Sequence, residues 1–313
     1  MTVRDILIDA KNWDMHTYID YVDIDKNEVV NINTDVKIST MCTSCKLNSK
    51  LNIYNIENYM QLNHNTVLSI KSSNIKQRTL IPLIQKPRRL TKYICKLNKN
   101  ISENKFYNQV TIIMRVTHGD SENLSNEPKI NMKLFKNGSI QMSGCKTIKN
   151  INIVLNKLLY CLQEIKAILE DNVIIEKPFI DNIDTLTILS FKIDMINCNY
   201  KLDIQIDRNK LYNLLIQQKV KCIYEPCIRA CVIIKYMPSP STLKGISIFI
   251  FQRGNVIITG AKSKMQVLDT YNYVNNIINT NKNIIIQRNE KEEEELILKI
   301  YSEILNDIRL GLN

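Results

Sequence analysis

Three histidines (His16, His64, His118) and nine cysteines are the residues on which catalysis or metal binding could rest. No histidine has a neighbouring Cys, Ser or carboxylate pattern that would make a nucleophile, an acid–base pair or a metal set. Cys42-x-x-Cys45 could be half a zinc site completed by Cys227 and Cys231. A structural zinc site uses two tight knuckles on turns, and these four lie in strand-like or apolar stretches, so the thiols read as reduced and unmetallated. No Gly-x-Gly-x-x-Gly or P-loop is present, and with only 7 glycines in 313 residues a glycine-cradled phosphate site would stand out. The residues therefore predict no catalytic set, no metal and no cofactor, and a protein that is not an enzyme.

Charge points elsewhere. Lys plus Arg number 42 and Asp plus Glu 31, a net +11, which favours an anionic partner such as nucleic acid. Between residues 62 and 105 stand Lys76, Arg78, Lys86, Arg88, Arg89, Lys92, Lys96 and Lys99, with no acid before Glu103. This is a candidate phosphate-contacting arm or a solvated basic loop. No run of about 18 uncharged apolar residues occurs, and Met1-Thr2-Val3-Arg4-Asp5 is not a basic-then-apolar signal segment. The expectation is a soluble intracellular protein with no membrane partner.

The elements that would carry a binding surface come from a repeat. Leu134-Phe135-Lys136-Asn137-Gly138-Ser139-Ile140-Gln141-Met142-Ser143-Gly144-Cys145-Lys146 recurs as Ile250-Phe251-Gln252-Arg253-Gly254-Asn255-Val256-Ile257-Ile258-Thr259-Gly260-Ala261-Lys262. The shared frame is Phe-x-x-Gly-x-x-x-x-(Ser/Thr)-Gly-x-Lys. Each copy has two strand-like runs split by a turn whose glycine can take a positive φ. Upstream of each lies a β-branched run, 110–116 or 230–236. Downstream lies an amphipathic helix, about 147–165 with Ile151, Val154, Leu155, Leu158, Leu159 and Leu162 on one face, or about 263–279 with Val267, Leu268, Tyr271, Val274 and Ile278. Strands at 36–41 and 189–196 open the two units, each followed by a helical stretch near 48–60 or 207–217. The domains are thus 1–33, an N-terminal extension; 34–168, a first repeat with a basic insertion at 62–105; 169–282, a second repeat; and 283–313, a helical extension that docks on this protein or on a partner.

Strand parity sorts the second hairpin into two faces. One carries Ile248, Ile250, Val256 and Ile258, and the other Ser247, Phe249, Phe251, Ile257 and Thr259. The long helix can cover only one. The face left over must meet a ligand or a second helical layer.

The order of elements, the duplication and the repeated frame resemble the TATA-box-binding protein family, over about residues 34–282. The resemblance implies an α+β fold: a duplicated saddle, a curved antiparallel sheet with helices on the convex face. It implies binding of double-stranded, A·T-rich promoter DNA in the minor groove by the saddle's underside, with phenylalanine wedges that unstack base steps. By this resemblance Phe135, Phe251, Phe249, Ile257, Thr259 and Ser143 form the DNA-facing underside. Two further wedge positions fall on Gln109 and Arg229, and the family's central asparagines fall near Val36 and Met195. Arg115, Lys146, Lys235 and Lys262 match phosphate-contacting positions, and Arg253 adds a charge. Tyr224, Glu225 and Ile228 match the stirrup that holds a polymerase-recruiting general transcription factor, with Cys227 in place of an acid. The implied function is transcription initiation, in a nucleus or a cytoplasmic viral factory; the skew to Asn, Ile and Lys suits the AT-rich genome of a large DNA virus or a parasite. A second reading keeps the fold as a protein-interaction scaffold with weak or no specific DNA binding. A third makes it a substrate platform of a nuclease or glycosylase, for which no catalytic module is visible.

Overall fold

The structure is a computed structural model and describes residues 35–72, 77–81, 108–116, 128–238, 245–287 and 290–309. The expected N-terminal extension, Lys86 to Lys99 of the basic insertion, Cys95, His16 and His118 lie outside these residues. The chain forms two compact units that divide within the described residues at 40–196 and at 35–39 with 197–309.

The element order of the first unit is β1 (Lys37–Leu47), α1 (Ile53–Tyr59), β2 (Val67–Lys71), β3 (Arg78–Thr79), β4 (Gln109–Arg115), β5 (Lys129–Phe135), β6 (Ser139–Cys145) and α2 (Ile148–Gln163). A separate hairpin follows, β7 (Ile165–Glu170) and β8 (Val173–Pro178). The second set is β9 (Ile188–Lys201), α3 (Arg208–Gln217), β10 (Cys222–Ile223), β11 (Cys231–Tyr236), β12 (Ile246–Phe251), β13 (Asn255–Ala261) and α4 (Lys264–Thr280), then α5 (Lys282–Ile285) and α6 (Glu290–Arg309). Strands run in the order β1-β6-β5-β4-β2-β3 in one unit and β9-β13-β12-β11-β10 in the other. The duplication is therefore one of topology as well as sequence. Residues 67–71, inside the expected insertion, form β2 and pair antiparallel with β4.

Burial follows the expected parity. Ile130, Met132, Leu134, Ile140 and Met142 of β5 and β6 are sealed, as are Ile151, Val154, Leu155, Leu158 and Leu162 of α2. In the second unit Ile248, Ile250, Val256 and Ile258 are sealed, with Val267, Val274 and Ile278 of α4. Each long helix starts on a capping side chain: Thr147 Oγ1 accepts from the Asn150 amide at 3.2 Å, and Ser263 Oγ from the Gln266 amide at 3.3 Å. The repeated frame thus ends in a lysine followed by an N-cap.

All four glycines of the frame have positive φ: Gly138 at 83°, Gly144 at 94°, Gly254 at 76° and Gly260 at 102°. Gly138 also packs against the carbonyls of Leu47 and Ser49, and Gly254 against those of Leu202 and Ile204. There each hairpin turn touches the end of its unit's first strand: the Leu47 amide donates to Gly138 O and the Leu202 amide to Gly254 O.

The hairpin β7–β8 turns at Asp171 and Asn172, both with positive φ, and leans on α1: Asn55 Nδ2 donates to the Pro178 carbonyl, and Lys177 stands over the Tyr59 ring. Arg78 lies within the segment expected to offer a phosphate arm, but its guanidinium donates to the carbonyls of Glu57 (2.7 Å) and Met60 (3.0 Å), which closes the C-terminal end of α1. Helix α6 leaves Ile297, Ile300, Tyr301, Ile304 and Leu305 exposed, so these side chains are not buried against the other described residues.

Candidate nucleic-acid interface

In the second unit the residues expected to meet DNA lie on the sheet face away from α4. Register puts Cys231 opposite Phe251, and Ile233 opposite Phe249, which in turn lies opposite Ile257. The next row is Lys235, Ser247 and Thr259. Phe249 and Phe251 are half-buried and Ile257 is 37% exposed, so the aromatic wedge candidates are not sealed beneath the chain. Thr259 Oγ1 donates to Asn197 Oδ1.

The first unit has the same backbone and different chemistry. Gln109 stands opposite Phe135; Thr111, Lys133 and Gln141 make the next row, and Ile113, Asn131 and Ser143 the row after it. Phe135 is half-buried and borders a cavity of about 420 Å³ whose other lining includes Lys46, Gln141, Lys192 and Asp194. Lys192 and Asp194 are an ion pair at 3.5 Å.

Register corrects one equivalence. The partner of Phe251 is Cys231, as the partner of Phe135 is Gln109, so the missing fourth wedge corresponds to Cys231 and not Arg229. The same alignment sets Lys235 against Ile113, since these stand opposite Ser247 and Asn131. Lys235 and Arg115 are thus not equivalent positions.

Of the expected phosphate contacts, Lys146, Lys235, Arg253 and Lys262 are exposed. Lys146 and Lys262 immediately precede the N-caps of α2 and α4, where ammonium charge and the positive helix end add for an anion. Lys235 Nζ donates to Ser247 Oγ at 2.5 Å. Arg115 behaves otherwise: it is 2% exposed, and its guanidinium donates to the His64 carbonyl at 3.2 Å. Its charge goes to holding the 64–66 loop on β4 rather than to presenting a surface cation.

The stirrup residues of the second unit sit on a turn after β10, where the Ile228 and Arg229 amides both donate to the Glu225 carbonyl. Ile228 is 73% exposed and Glu225 is exposed, while Tyr224 packs against Tyr212 and under Arg208. Among the described residues no group of three or more His, Cys, Asp or Glu is placed to hold a metal. Burial pushes the Cys45, Cys145, Cys161 and Cys198 thiols up to about 12, so they stay protonated at neutral pH and are poor nucleophiles. Among the described residues no helix is long and apolar enough to cross a membrane.

A family model described as transcription factor TFIID, or TATA-binding protein, matches residues 190–281. A TATA-box-binding protein-like protein of Acanthamoeba polyphaga mimivirus is 33% identical over 260 residues, covering 78% of this chain; the chain spans 65% of that relative's length. Among solved structures the Methanococcus jannaschii TATA-binding protein is similar at 18% identity, covering 80% of this chain and 99% of that one, with a TM-score of 0.43. The duplicated strand–helix topology and the repeated hairpin frame thus accompany a match of residues 190–281 to the TATA-binding protein family and a similarity, over most of the chain, to a viral TATA-box-binding protein-like protein.

Proposed function

We propose that the chain is a transcription-initiation factor that binds A·T-rich duplex DNA through the sheet face bearing Phe249, Phe251 and Ile257. One observation carries this reading: Phe249, Phe251 and Ile257 stay at least partly exposed on that face in a chain of net charge +11, and exposed Lys235, Arg253 and Lys262 belong to the same unit. Apolar side chains that enter the minor groove offset the cost of unstacking by wrapping more surface, while the cations displace counterions from phosphates. Lys146 extends the phosphate contacts in the first unit. Glu225 and Ile228, exposed on the stirrup with Tyr224 behind them, are assigned to a general transcription factor that recruits polymerase. The repeats proposed from the sequence, 34–168 and 169–282, are the two halves of this machine, and its place of action is a nucleus or a viral factory.

Fluorescence anisotropy on A·T-rich and G·C-rich duplexes at 50 and 200 mM salt tests this. With about 4 phosphate contacts, affinity is expected to fall on the order of a hundredfold between those salts. A preference for the A·T-rich duplex is expected. Absence of binding to either duplex at low salt removes DNA from the account and favours the protein-scaffold reading, which the polar face of the first unit also supports.

A further inference from the structure

Resting on that reading, we infer that the two units engage a duplex unequally: the second unit unstacks a base step, and the first holds the backbone without inserting a wedge. The difference is written in matched rows. Where the second unit sets Cys231 beside Phe251, and Ile233, Phe249 and Ile257 in the next row, the first sets Gln109 beside Phe135, and Thr111, Lys133 and Gln141.

A wedge must bring its neighbours against the edges of the opened base step, out of water. In the strand rows beside Phe251 those neighbours are apolar, and the part-exposed Phe249 and Ile257 gain by it, although Asp35, Lys37 and Lys201 also line the pocket that Phe251 borders. In the rows beside Phe135 they are an ammonium and two amides, and stripping water from such groups without new partners is costly. Lys133, exposed, instead suits a phosphate. The contacts that spread a base step therefore concentrate in one unit, and the bend has one dominant site. The complex also has a direction along the duplex, because its two halves demand different properties of the DNA: deformability under the second unit and backbone charge under the first.

The test is the bend of an end-labelled 30-base-pair A·T-rich duplex, followed by energy transfer with the full chain, beside anisotropy for binding. Phe251→Ala is expected to cut the bend-dependent energy-transfer change about fivefold at saturating protein, whereas Phe135→Ala should change it less than about twofold. Ile257→Ala, on an exposed side chain, should reduce it too and guards against a fold defect in Phe251→Ala. Lys133→Ala should leave the bend and lower the salt slope of binding by about 1. Equal losses from Phe135→Ala and Phe251→Ala overturn the inference while leaving DNA binding in place. A wild-type complex that is bound but straight overturns it as well, and a chain that binds no duplex at low salt removes both the inference and the reading beneath it.

Discussion

Gly254→Ala is expected to destabilise the second unit by about 3 kcal/mol or more, the combined cost of a strained left-handed alanine and a backbone collision. Gly254 has φ 76°, and an added Cβ would overlap the Leu202 carbonyl oxygen and lie 2.6 Å from that of Ile204. Neither obstacle is a flexible side chain, so relief requires the β12–β13 turn to part from the end of β9, where Leu202 N bonds Gly254 O. Gly260→Ala separates the two costs. Its φ is 102°, but the nearest foreign atom to a Cβ is Gly245 O at 3.7 Å, so only the conformational strain remains and the loss should be clearly smaller. Urea denaturation of the three proteins measures this; equal losses for the two variants would show that the close approach contributes nothing.

The second large effect belongs to a lysine with no part in DNA binding. Lys157 of α2 is fully buried, and its ammonium donates to the carbonyls of Asn65 (2.8 Å), Arg115 (3.1 Å) and Val116 (3.4 Å). The cation ties the long helix to the 65–66 loop and to the end of β4, next to the buried Arg115 guanidinium on the same loop. Lys157→Met keeps the packing volume and removes the donor from three carbonyls. With about 1–3 kcal/mol for each buried polar group left without a partner, and incomplete additivity, the loss should be about 3 kcal/mol or more. Denaturation of Lys157→Met followed by a first-unit probe checks this, and a loss below about 1 kcal/mol would mean that water or other donors satisfy those carbonyls.

Much of this was legible in the residues, and the parts that were not share a cause. The hairpins, the long helices and the buried parity of 248, 250, 256 and 258 follow from local period and from a frame used twice. The turn role of Gly138 and Gly254 was readable, but their contact with β1 and β9 carbonyls joins residues about fifty or more positions apart and leaves no local trace. The wedge equivalence is hidden for a related reason: the β4–β5 and β11–β12 connections differ in length, so a sequence offset does not carry across them to Gln109 and Cys231. Arg115 read as a surface cation because a basic residue ending a strand usually is one; its burial depends on a loop near His64. The β7–β8 hairpin carries a local signal of its own, Asp171-Asn172 between two isoleucine-bearing runs.

The second unit is proposed to meet the duplex with the sheet face bearing Phe249, Phe251 and Ile257. Replacing Ile257 with a photo-crosslinking benzoylphenylalanine, and Asn276 near the C-terminal end of α4 likewise as a control, tests it directly, since both side chains are exposed in the same unit. Irradiated with a labelled A·T-rich duplex at low salt, the chain should form a DNA adduct from position 257 and none from position 276. An adduct of equal yield from both positions, or from 276 alone, would contradict it.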